Sequence, residues 1–191
     1  SKLREFTEEL KKLGIEIIKP SINKCYSDFK AIKGKLYYGL GAIKNVGYEA
    51  ISNIVEEREN NGKFKSLTDF INRVNAKDVN KLQLEGLVKS GVFDEFDQDR
   101  SKILNSIPKI IQKIKNINDD KENHQSNLFS EQENEKKSFD FDPAPHWSLK
   151  ELLSEEFKSI GFYLTNHPLN EFDDIFNHLN IVTYNQFYGN D

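Results

Sequence analysis

The chain's 191 residues suit one large domain or two small ones; 37% are hydrophobic, enough for a core, and 30% are charged. A net charge of −4 excludes polyanion binding by overall charge alone, and no apolar run approaches the roughly 18 residues of a membrane span. The single cysteine, Cys25, excludes an internal disulfide framework and fits a reducing cytosol. The N-terminal SKLREFTEEL carries no signal-peptide apolar stretch, and the lack of any methionine fits an excised piece of a longer protein. Charge is unevenly spread. Residues 30–48 hold Lys30, Lys33, Lys35 and Lys44 with no acid, residues 63–81 hold five bases against two acids, and residues 119–142 hold eight acids against three bases. One part of the surface can meet phosphates and another repels them.

Leu3, Phe6, Leu10 and Leu13 recur at helical spacing over residues 2–13, and Gly14 supplies a stop. Ile15, Ile17 and Ile18 read as a short strand ending at Pro20. Phe29–Ile32 and Leu36–Tyr38 flank Lys33-Gly34 as a β-hairpin. A helix from Gly47 to Asn60 buries Ala50, Ile51, Ile54 and Val55 and ends at Asn61-Gly62. Ser66 caps the next helix, with Asp69 three residues on and Leu67, Phe70, Ile71 and Val74 as its apolar stripe. Asn80 caps a third, built on Leu84, Leu87 and Val88, with Gly91 as its C′ residue. Ile103, Ile107, Ile110, Ile111 and Ile114 predict a helix near 99–115 that Pro108 kinks or splits. Residues 116–146, rich in Asn, Asp, Glu, Lys and Ser, read as a flexible linker. Leu149, Leu152, Leu153, Phe157 and Ile160 then predict a helix ending at Gly161. The fold class is mainly α, a tandem helix-hairpin-helix bundle with a small β element near the N-terminus.

The segment with the most chemistry runs from Gly39 through Gly47 and on to Ile51. A helix-hairpin-helix exposes backbone N–H groups in a tight turn, so it wants residues that tolerate positive φ and lack bulk. The second helix must follow at once, so that its free N–H groups and positive dipole end face the same phosphate. Asn45 and Gly47 can supply the turn, Val46 pins it, Gly41 lets the flanking elements approach, and Lys44 adds charge. Read alone, the segment is equally a plain helix-to-helix turn. A second, degenerate copy follows: Leu84–Ser90, a turn at Gly91-Val92-Phe93, and the helix from about residue 99. Asp94, Glu95 and Asp97 suit that copy to packing better than to phosphate binding.

The runs YYGLGAIKNVGYEAISNIVEEREN, GKFKSLTDFINRV, VNKLQLEGLVKSGVFDEF and SIGFYLTNHPLNEF, with LKKLGIEIIKPSINKCYSDF before them, closely resemble the alpha-subunit family of bacterial DNA polymerase III. The resemblance covers nearly the whole chain in order. That family usually has glycine where Asn45 stands, and asparagine is the next-best residue for a left-handed backbone. The resemblance divides the chain into the end of a fingers region (1–37), a tandem helix-hairpin-helix DNA-binding domain (38–115), a linker with a clamp-binding peptide (116–146) and a helical segment leading toward an OB-fold domain (147–191). It implies a DNA-backbone-binding set of Gly41, Lys44, Asn45, Val46 and Gly47, and it puts the two-metal catalytic carboxylates upstream of Ser1. The parent enzyme, a DNA-directed DNA polymerase expected to use Mg2+, would run its chemistry there; this stretch needs no cofactor and is inactive alone.

Gln125-Ser126-Asn127-Leu128-Phe129 interrupts the polar linker with an apolar pair. It looks like the sliding-clamp-binding pentapeptide of bacterial polymerases, in which Leu128 and Phe129 fill a cleft, about 1.5–3 kcal/mol each, and Gln125 hydrogen-bonds at its rim. The alternative is that the pair folds back on the protein's own surface. His124 beside this peptide reads as solvent-exposed, and His146, His167 and His178 lack metal-ligand spacing or cysteine partners, so no metal site is assigned. Expected partners are duplex DNA, the sliding clamp (beta subunit) and other subunits of the polymerase III holoenzyme, in the cytoplasm and with no membrane. The competing readings are a free-standing helix-hairpin-helix adaptor of a repair complex and a pure protein scaffold.

Overall fold

The computed structural model describes residues 12–122 and 139–161, together with Glu5, Glu9 and Leu10. Of the expected N-terminal helix stripe, Leu10 is buried, but Leu13 is 74% exposed in the turn that Gly14 closes. Leu3 and Phe6 lie outside the described residues.

Three short strands follow: β1 (Glu16–Ile18), β2 (Lys30–Ile32) and β3 (Lys35–Tyr37). Lys33 and Gly34 both adopt positive φ, 49° and 76°, which matches the twist of a two-residue hairpin and joins β2 to β3 antiparallel. β1 pairs in parallel with β3, giving the order β1-β3-β2. The crossover between β1 and β2, residues 19–29, buries Ile22 and Cys25.

Six α-helices follow the sheet among the described residues: α1 (Tyr48–Asn61), α2 (Leu67–Arg73), α3 (Lys81–Lys89), α4 (Arg100–Asn105), α5 (Ile107–Glu122) and α6 (Leu149–Ile160). Two of them start at the caps expected from the sequence, and α6 starts at a further one. The side chains of Ser66 and Asn80 accept from Asp69 N and Gln83 N, and Ser148 forms a reciprocal box with Glu151. Pro108 splits the isoleucine-rich segment as expected, leaving Ser106 as the joint and Pro108 in the first turn of α5. One core unites the helices: Ile51, Ile54, Phe70, Ile71, Leu84, Leu87, Phe93, Ile103, Ile107 and Ile114 are nearly inaccessible. Phe64, Phe70 and Phe93 stack edge to face through its centre.

The linker expected over 116–146 is corrected at both ends. α5 continues through Glu122, because Asn118 hydrogen-bonds Ala76 N, Val74 O and Ile114 O and Lys121 reaches Asn72 O. Residues 139–147 form a strap packed along α5 and the start of α2. Phe139 donates its N–H to Thr68 Oγ1, Asp142 N bonds Ser106 Oγ, and Lys109 pairs with both Asp140 and Asp142. Polar composition concealed these contacts, which lie between residues more than 30 positions apart.

Two buried arginines tie loops to helices. Arg58 of α1, 4% exposed, donates to Ile22 O at 2.8 Å and Cys25 O at 2.5 Å, holding the crossover down. Arg100 of α4 grips Asp94 with two hydrogen bonds and meets Glu156 of α6 at 3.4 Å. Burial opposes the Arg100 charge, but the hydrogen bonds and charges of Asp94 and Glu156 outweigh it and raise its pKa.

Candidate nucleic-acid interface

The first hairpin opens with a single 3-10 turn, Leu40–Ala42, in place of a full first helix. Gly41 seats this turn. Its N–H donates to Ser27 O at 2.9 Å, and a Cβ there would lie 2.8 Å from that carbonyl and 3.0 Å from the Tyr48 ring. The Gly41 N–H is therefore engaged inside the protein, and the residue acts through close packing.

The sequence offers two residues, Asn45 and Gly47, to bend the turn; the structure bends only one. Asn45 sits at φ 67°, whereas Gly47 is the extended N-cap of α1 at φ −72°, ψ 131°. A Cβ on Gly47 would meet no protein atom closer than 3.9 Å. Glycine at this position answers no demand of the fold and leaves the outer surface of the turn bare.

Four contacts hold the turn. Ile43 and Val46 are buried, and Val46 donates its N–H to Ile43 O at 3.1 Å. Lys44 donates its N–H to Ser159 O of α6 at 2.9 Å. On the other side, Gly86 of α3 lies so close that a Cβ would stand 2.5 Å from Lys44 O and 3.4 Å from Val46 Cγ2. The Lys44 peptide is thus clasped between two helices. Nothing in the local sequence signals the Gly86 contact; a glycine inside a helix, where it costs about 1 kcal/mol against alanine, was the available sign.

What this leaves outward is a set of donors. Among the described residues, no hydrogen bond engages the backbone N–H of Asn45, Gly47, Tyr48 or Glu49, and no side chain caps α1. Lys44, Asn45, Gly47, Tyr48 and Glu49 are all exposed. Unpaired N–H groups and the positive end of a 14-residue helix together attract an anion. The exposed Lys44 makes no ion pair among the described residues, while Glu49 is the acid in the first turn of α1. Val46, by contrast, offers neither a free N–H nor an outward side chain.

The second hairpin has the same outline but a filled turn. Gly91 takes φ 80°, Val92 and Phe93 are buried, and the Arg100–Asp94 pair occupies the space beside Gly91. The crossover loop closes it further: Ile22 N donates to Val92 O at 3.0 Å, Ser21 Oγ bonds Glu95 at 3.2 Å, and Asn23 also bonds Glu95. At its far side Asp99 caps α4. Burial works against its charge, but Ser101, the Lys102 N–H and His146 hold its carboxyl below the ordinary range.

Gln125, Leu128 and Phe129, with His124, His167 and His178, lie outside the described residues. No group of three His, Cys, Asp or Glu side chains converges as a metal site among the described residues. No helix among them is long and apolar enough to cross a membrane.

Residues 14–103 match the helix-hairpin-helix motif. The chain is 37% identical over 188 residues to the DNA polymerase III subunit alpha of Borreliella burgdorferi, covering 95% of this chain and 16% of that protein. It is 33% identical over 170 residues to the subunit of Caulobacter vibrioides, covering 89% of this chain and 15% of that protein. With that of Neisseria meningitidis serogroup A it shares 36% over 171 residues, covering 87% and 14% respectively. The chain thus spans about one-sixth of the length of these relatives.

Proposed function

The chain matches one segment of bacterial DNA polymerase III alpha subunits almost end to end and carries a helix-hairpin-helix motif, and from that premise we propose that it holds the backbone of duplex DNA for such a polymerase. The observation that carries the reading is the open turn before α1. Asn45 turns the chain, the N–H groups of Asn45, Gly47 and Tyr48 face outward, and Lys44 supplies charge beside them. In this reading Gly41 and Val46 position the turn. Nucleotidyl transfer belongs to metal-binding carboxylates elsewhere in the parent protein, and this stretch contributes grip.

The same proposal gives Gln125, Leu128 and Phe129 the role of a peptide for the sliding clamp, a tether independent of the hairpin. Two attachments on one polymerase raise the effective concentration of each, which aids processive synthesis.

The test is to titrate duplex DNA and, separately, purified clamp into the isotopically labelled chain while following backbone amide resonances at several salt concentrations. DNA should move the resonances of 44–49 and lose affinity steeply with salt; clamp should move those of 125–129. Duplex binding that leaves 44–49 unmoved would remove the hairpin from the proposal. Clamp binding that survives Leu128→Ala with Phe129→Ala would remove the pentapeptide.

A further inference from the structure

The bare patch over Gly47 has a polar wall. A Cβ on Gly47 would stand 3.9 Å from Gln83 Oε1 and 4.0 Å from the Ala50 methyl, its nearest neighbours. Gln83 of α3 is 2% exposed and held at both ends. Its backbone N–H donates to Asn80 Oδ1 at 2.9 Å, which fixes the first turn of α3. Its side-chain Nε2 donates to Asp78 O at 2.7 Å. Asp78 is itself fixed, since its Oδ1 accepts from Asn53 Nδ2 of α1 at 2.8 Å. Only the NH2 end of an amide can serve a carbonyl, so the end turned toward Gly47 is the oxygen.

That oxygen accepts no hydrogen bond among the described residues, yet it is not sealed inside the core. Polar atoms of side chains this buried have partners as a rule. Gln83 Oε1 thus stands as a fixed acceptor without a donor, beside the N–H groups of Gly47 and Tyr48, which are donors without an acceptor. The turn presents both kinds of group side by side.

This pairing selects among ligands that carry a phosphate or other anion. The backbone of DNA has no donor, and the donors of DNA sit on base edges inside the grooves. An acidic side chain of a partner protein brings carboxylate oxygens, which are further acceptors. Ribose differs, because its 2′-hydroxyl sits on the carbon next to the one that bears the phosphate, and it can donate. We propose that the hairpin grips most tightly a ribonucleotide strand paired with DNA, Gln83 Oε1 accepting from the 2′-hydroxyl beside the phosphate held at Gly47 and Tyr48. This rests on the reading of the hairpin as a backbone grip. A DNA strand is held by the same N–H groups, with that one bond missing.

The experiment measures the affinity of the full chain for three duplexes of one sequence that share a DNA strand. The other strand is DNA, RNA, or RNA with fluorine in place of each 2′-hydroxyl, which keeps the RNA shape and removes the donor. The RNA strand should bind about three- to tenfold tighter than the other two, the worth of one added hydrogen bond. Gln83→Met should bring the three affinities together. The variant also loses the bond to Asp78 O, but a ratio of affinities within one folded protein does not report stability. Lys44→Gln should weaken all three duplexes by one factor. Equal affinities in the wild type, the result that a water-bridged oxygen gives, overturn the proposal. So does a fluorinated strand that binds like RNA, which assigns the preference to duplex shape, and so does a preference that survives in folded Gln83→Met. The wild-type comparison decides by itself if Gln83→Met does not fold. Each of these results spares the hairpin reading as long as Lys44→Gln weakens binding; duplex binding indifferent to Lys44→Gln overturns both.

Discussion

Replacing Gly86 by alanine tests whether the grip is set by a contact 42 residues away in sequence. The added Cβ would stand 2.5 Å from Lys44 O, roughly 1 Å inside ordinary contact, and the opposing atom is backbone rather than a flexible side-chain tip. The Lys44 carbonyl cannot move freely, because the N–H of the same residue is bonded to Ser159 O at 2.9 Å. Relief requires α3 to withdraw or that bond to lengthen. Alanine gains about 1 kcal/mol of helix propensity over glycine, and overpacking costs about 1–3 kcal/mol. The net change in stability is a loss of about 0–2 kcal/mol. The larger effect falls on the turn, whose donors must be positioned to within a few tenths of an ångström to keep about 2.9 Å hydrogen bonds to a phosphate. Gly47→Ala is the contrasting variant: its nearest protein atom is 3.9 Å away and its φ suits any residue, so stability should hold while the methyl intrudes on the bound phosphate. Urea unfolding and duplex titration are run on both. Gly86→Ala should lose some stability and about tenfold in affinity; Gly47→Ala should lose affinity alone. A Gly86→Ala protein that is more stable and binds DNA as wild type would refute the clasping of Lys44 between α3 and α6.

Asn45→Ala should lower stability by about 1–2 kcal/mol, the cost of a left-handed residue with a Cβ and no local polar compensation, whereas Asn45→Gly should be neutral within error in the same melt. Glu49→Gln should tighten duplex binding about two- to fourfold at low salt. A unit charge roughly 6 Å from a phosphate in a water-like dielectric is worth about 0.7 kcal/mol, and the gain should fade above 0.3 M or so as screening shortens. Arg100→Met removes a buried guanidinium that bonds Asp94 twice and meets Glu156, and should cost about 3–5 kcal/mol in urea unfolding. Adding Glu156→Leu should recover much of it, and no recovery would mean that the pair is not the cause. Asp99 has a folded pKa below its unfolded value of about 3.9. Its contribution is therefore present above that value and lost as pH falls through the folded pKa. Thermal midpoints taken between pH 5 and pH 2 should drop in the acid limb, and Asp99→Asn should blunt that drop.

Local chemistry was legible in the sequence wherever one residue decides one backbone feature. Ser66 and Asn80 mark helix starts because a short polar side chain answers an orphan N–H a few residues on. Lys33-Gly34 marks a hairpin, and Asn45 marks a left-handed bend, because few residues tolerate positive φ. Gly47 misled for the same reason. A glycine in a turn suggests backbone freedom, yet here the backbone is ordinary and the missing side chain concerns the outer surface. Contacts between distant segments left no such mark. The Arg58 clamp on the crossover, the Arg100–Glu156 pair and the strap over 139–147 use polar residues that composition assigns to the surface. Each joins residues more than 30 positions apart.

The two hairpins show how one backbone outline serves opposite ends. A tight turn before a helix always presents donors and a positive end, and the protein must either satisfy them or leave them for a ligand. At the second hairpin the protein satisfies them: Asp99 caps α4, Asp94 and Arg100 fill the bend, and residues 21–23 lie across it. At the first, the residues that could cap α1 are absent. Gly47 has no side chain, Asn45 is committed to the bend, and Lys44 and Val46 are held by α3 and α6. The fold thus spends its acids at one turn and withholds them, Glu49 apart, at the other. An uncapped 14-residue helix end with an exposed lysine beside it forgoes the roughly 1 kcal/mol that a capping side chain supplies. Its persistence beside a fully capped copy of the same outline argues that the open turn is kept for an anion from outside the chain.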